Sequence, residues 1–73
     1  MKNKDEPILA KRSKEFYQLW KFTKTLTPEE VSILITKRRN DIKYEKDEER
    51  IKLLRTEIKM LEEIYTINKR KKL

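Results

Sequence analysis

The sequence predicts an all-α fold on three observations. It contains no glycine, its apolar residues recur at spacings of three and four, and one segment opens with a helix-start signature. Hairpin turns, phosphate-cradling loops and left-handed helix C-caps all favour glycine, so its absence disfavours sheets and nucleotide-binding loops. The chain has 73 residues, of which 36% are hydrophobic and 45% charged, where about 25% charged is usual. Scattered apolar residues at that composition would describe disorder. Here they form stripes, and each predicted helix rests on one.

Residues 1–6 are expected to form a flexible N-terminus, and 7–68 a single helical domain. The first helix is predicted over 7–26, with Pro7 suiting a first helical position after Asp5 and Glu6. At about 100° per residue, Ile8, Leu9, Phe16, Leu19, Trp20 and Leu26 share a face, and Arg12 and Thr23 fall inside the same stripe.

The second helix, over 28–44, has the clearest start in the chain. In "TPEE", Thr27 is the N-cap, Pro28 the first helical residue and Glu30 the reciprocal partner of a capping box. Val31, Leu34, Ile35 and Ile42 make its stripe, with Arg38 in the middle. In an antiparallel hairpin turning at Leu26 and Thr27, Arg12 would lie level with Asp41, and Arg38 near Phe16. A salt bridge and a cation–π contact would then satisfy the two guanidinium groups.

The third helix is predicted over 48–68, followed by a basic tail, 69–73. Ile51, Leu54, Ile58, Leu61 and Tyr65 repeat in the a/d pattern of a coiled-coil seam. Leu53, Met60, Ile64 and Ile67 widen the apolar arc to about 160°. One partner helix would not cover it, so two neighbours are expected.

Between the last two helices lies "KRRNDIKYEKDEER", which either links two helices or is the wet middle of one. Ile42 and Ile51 are nine residues apart, which places them about 180° apart on a straight helix. An unbroken helix would bury opposite faces in its two halves. A break near 44–47, with Asp47 as a new N-cap and acids in the turn that follows, resolves the conflict. The pattern leaves two arrangements: a short three-helix bundle, or a helical hairpin with a long C-terminal helix. Either could self-associate as a coiled coil through Ile51, Leu54, Ile58, Leu61 and Tyr65, with Lys52, Arg55, Glu57, Lys59 and Glu62 flanking that homo-oligomeric seam.

Composition also bounds function. Without cysteine or histidine there is no disulfide, no conventional zinc site and no thiol or imidazole nucleophile or base. No catalytic residue, cofactor or metal site is therefore expected. No apolar run approaches the ~20 residues of a membrane span, the start lacks a signal-peptide core, and the expected location is cytoplasmic. A membrane-surface role for the aromatic first helix is disfavoured, because so small a protein needs those rings in its core.

The leading expectation is a non-enzymatic interaction or regulatory protein that docks a helix face onto another protein. Tyr17, Trp20, Phe22, Met60 and Ile67 would be its anchors. The alternative is a nucleic-acid-binding accessory. The net charge is +7, with the surplus at the two ends of the chain, and Lys11, Lys14, Lys21, Lys69, Arg70, Lys71 and Lys72 are the candidate phosphate contacts. A third possibility is a structural subunit of a larger assembly.

Overall fold

A computed structural model describes residues 7–71. The flexibility expected of 1–6 and the candidate contact Lys72 lie outside the described residues. Among the described residues the fold is all-α, with four helices in the order α1 (Ile8–Arg12), α2 (Lys14–Thr23), α3 (Pro28–Tyr44) and α4 (Glu48–Lys71).

The predicted first helix is two helices. Ser13 stands between them with extended backbone, φ −138° and ψ 133°, and its side chain accepts the Phe16 N–H at 3.5 Å. The cause lies in which side chains the bend buries. On a straight helix Ala10 would share the outward side with Lys14 and Lys21. The bend buries Ala10 and leaves Ile8 62% exposed, correcting the expectation that Ile8 belongs to the core stripe.

α3 starts where its capping box directs. Thr27 Oγ1 accepts the Glu30 N–H at 3.2 Å, and Glu30 Oε1 accepts the Thr27 N–H at 3.0 Å. It ends at Tyr44, with Glu45 in extended conformation. The Glu49 N–H then donates to Asp47 Oδ1 at 3.0 Å, an N-cap that opens α4 and answers the phase conflict between Ile42 and Ile51.

α3 and α4 pack as the principal pair, and α2 meets α4 near its C-terminal end. Ala10, Trp20, Val31, Ile35, Ile58, Met60, Leu61 and Ile64 form one buried cluster, so every helix contributes to the core and the wide arc of α4 is covered from more than one side. Arg38 makes neither the expected contact with Phe16 nor one with Asp41. Its Nε donates to Glu57 Oε1 at 2.9 Å, and Arg39 Nη2 donates to Glu62 Oε2 at 2.6 Å, joining α3 to α4 twice. Arg12 ends α1 exposed, without an ion pair to Asp41.

The α2–α4 junction depends on Asn68, which is buried. Its Nδ2 donates to the carbonyls of Thr23 and Leu26, at 3.1 and 3.0 Å. Thr23 O is one of the carbonyls that the C-terminal end of α2 leaves without an intrahelical partner, and Leu26 O lies in the turn that follows. Thr23, also buried, returns its hydroxyl proton to Leu19 O at 2.8 Å. The described residues measure 40 × 26 × 14 Å along their principal axes, so each long helix keeps a broad outward face. None is long and apolar enough to cross a membrane.

Candidate functional site

Helix amphipathicity decides which predicted anchors can meet a partner. Met60 is 0% exposed, Trp20 6% and Ile67 8%, so these three belong to the interior and cannot serve as surface anchors in this fold. The reason is size: a core this small needs its largest apolar groups. Tyr17 and Phe22 stay outside, Phe22 at 63% exposure. They lie on different sides of α2, about 140° apart at 3.6 residues per turn.

The rings of α2 are dressed with cations. Tyr17 and Trp20 sit with centroids 5.7 Å apart and planes inclined at 50°. Lys21 Nζ lies 5.9 Å from the Tyr17 centroid and Lys24 Nζ 4.9 Å from that of Trp20. Lys21 and Lys24 therefore shield α2's own aromatic surface. The bend at Ser13 also detaches Lys11 from the Lys14 and Lys21 side, so the three do not form one continuous stripe.

At the other end of the chain, Lys69, Arg70 and Lys71 are the last turn of α4 rather than a tail. Cations there complement the helix dipole, and Lys69 Nζ lies 5.7 Å from the Tyr65 ring centroid. Lys71 shares a shallow cleft with Lys24, Thr27, Pro28 and Asn68, which brings the ends of α2 and α4 together. The a/d seam faces its own chain: Leu54, Ile58 and Leu61 are buried, with Ile51 and Tyr65 half-buried beside them. A homotypic coiled coil through this seam would have to displace α3.

The carboxylates are largely consumed locally. Glu15, Glu29, Glu48 and Glu49 occupy first turns of helices, and Glu30 and Asp47 cap. Glu45, Glu57 and Glu62 pair with Arg50, Arg38 and Arg39. Among the described residues, Lys11, Arg12, Lys14, Lys52, Arg55 and Lys59 have no carboxylate within ion-pair distance.

Lys52, Arg55 and Lys59, which the sequence places as flanks of a dimer seam, stand together with Thr56 along a shallow depression on the outside of α4. Their spacing of three and four is visible in the sequence. Glu57 falls about 140–160° away from them around the helix, and its pairing with Arg38 there is a tertiary fact. Asn68 carries no signal of its role in the sequence, since a lone amide in an apolar arc announces no partner.

Compared with known proteins, the chain matches no family model, no curated protein and no solved structure.

Proposed function

We propose that the protein is a non-enzymatic helical binder of nucleic acid, held to its partner chiefly by phosphate contacts. The supporting observation is the division of charge: carboxylates are engaged at helix starts and interhelical pairs, while many exposed lysines and arginines have no ionic partner among the described residues. The net charge of +7 is therefore expressed outward. Surfaces of this kind attract polyanions and release their counterions on binding.

The test is fluorescence anisotropy of labelled duplex and single-stranded oligonucleotides titrated with the protein across a salt series. Binding that weakens with salt, at a log-log slope of about −0.9 per phosphate neutralised on duplex DNA, supports the reading. No binding to either oligonucleotide at ~50 mM salt, where such contacts are strongest, removes it.

A second reading, docking onto another protein, is favoured by one observation: Phe22 is 63% exposed, and Tyr17, on another side of α2, is exposed as well. Such rings are common interface anchors. If a specific protein is captured and Phe22→Ser abolishes capture while nucleic acid leaves it unchanged, this second reading replaces the first.

A further inference from the structure

The segment of α4 from Arg50 to Leu61 holds a single acid, Glu57. Its carboxylate accepts from Arg38 Nε at 2.9 Å and its side chain is 22% exposed, so it is drawn toward α3 and away from the outer surface. Lys52, Arg55 and Lys59, at i, i+3 and i+7, are left on one exposed face without an opposing charge. From Lys52 to Lys59 the helix rises about 10 Å. Acids bound the patch at both ends, Glu48 and Glu49 before it and Glu62 and Glu63 a turn after it. Glu57 lies about 140–160° around the helix from these three cations, and its bridge to Arg38 holds it on that far side, leaving a cationic patch confined to two helical turns.

We infer that this patch is where the protein meets the sugar–phosphate backbone of duplex nucleic acid, an assignment that rests on the nucleic-acid reading above. Three features of the patch select that partner. It contains no aromatic side chain, and binders of single strands depend on stacking bases against aromatic rings. It also lacks the apolar anchors that hold most protein partners, whose interfaces are poor in lysine. Duplex DNA presents one charge per ~1.7 Å of axis, so a patch of this length faces several phosphates at once. Thr56 donates its hydroxyl proton to Lys52 O at 2.9 Å, so recognition is left to the three cations. With no donor–acceptor pair directed at base edges, the contact is insensitive to sequence.

The experiment compares three full-length proteins by anisotropy with a labelled duplex over a salt series: the native chain, Lys52→Gln/Arg55→Gln/Lys59→Gln, and a charge-matched control, Lys37→Gln/Lys43→Gln/Lys46→Gln. All six positions are exposed, and far-ultraviolet circular dichroism verifies equal helicity. The α4 variant is expected to bind at least ~10-fold more weakly, with a salt slope shallower by about 3, one for each phosphate that the variant leaves unneutralised. The control should have a slope shallower by less than ~1. Native binding with equal weakening in both variants, or with none in the α4 variant, overturns the patch and leaves the nucleic-acid reading standing. Absence of native binding to duplex and single strand alike overturns that reading itself. Preference for a single strand, or for phosphatidylserine vesicles over duplex, overturns the assignment of the patch to a duplex backbone.

Discussion

Replacing Asn68 by leucine keeps the number of side-chain heavy atoms and removes its two donors. In the native chain those donors reach Thr23 O and Leu26 O, across more than forty residues of sequence. The two carbonyls do not suffer equally. Thr23 O keeps a second donor, the Leu26 N–H at 3.0 Å, whereas Leu26 O is half-buried and its interhelical partner disappears. At roughly 1 kcal/mol net per hydrogen bond, Asn68→Leu is expected to destabilise the fold by about 2 kcal/mol. In a domain this small that lowers Tm by about 8–16 °C. Asn68→Asp should be worse at neutral pH, since it aims a carboxylate at two carbonyl oxygens. Thermal and urea melts followed by circular dichroism measure both. A leucine variant within ~0.5 kcal/mol of the native chain, the usual spread of neutral surface changes, would refute the claim that this amide holds α2 to α4.

Other substitutions follow the same physics. Met60→Ala empties the most enclosed part of the core and is expected to cost about 2–5 kcal/mol, read from the urea midpoint at unchanged m-value. Trp20→Ala should cost about 3–5 kcal/mol, while Phe22→Ser, on the same helix, should stay within about 0.5 kcal/mol; equal effects in a paired melt would contradict the burial of one and exposure of the other. Thr27→Ala removes half of the α3 capping box and should lower unfolding free energy by about 1 kcal/mol, with Thr27→Ser restoring most of it.

What the sequence made legible was local. The start of α3 could be read from "TPEE" because a capping box is satisfied within four residues, and the break before α4 from the opposed phases of Ile42 and Ile51. The bend at Ser13 has only a weak local signal, "SKEF", which places a capping serine before an acid. Leu9, Phe16, Leu19 and Trp20 keep an acceptable helical phase across it, and the burial of Ala10 that favours bending is tertiary. The partners of Arg38 and Asn68 were not legible for the same reason. Each depends on the register of α4 against α3 or α2, which spacing along one helix does not fix. Of the expected docking anchors, Trp20, Met60 and Ile67 are buried while Tyr17 and Phe22 are exposed: periodicity places Met60 and Ile67 in an over-wide arc, and that arc is covered from within the chain.

No described residue has a positive φ angle. Ser13, Thr27 and Glu45, at the three junctions, instead occupy the extended region that any L-residue adopts. Two of them, Ser13 and Thr27, also cap the helix that follows, and the third lies two residues before Asp47, which does the same. Each junction is therefore short, with the capping residue of the next helix no more than four positions beyond the end of the last. Glycine at a joint would add freedom to the unfolded chain and weaken the molecule by up to about 1 kcal/mol, so the missing residue type is itself a source of rigidity.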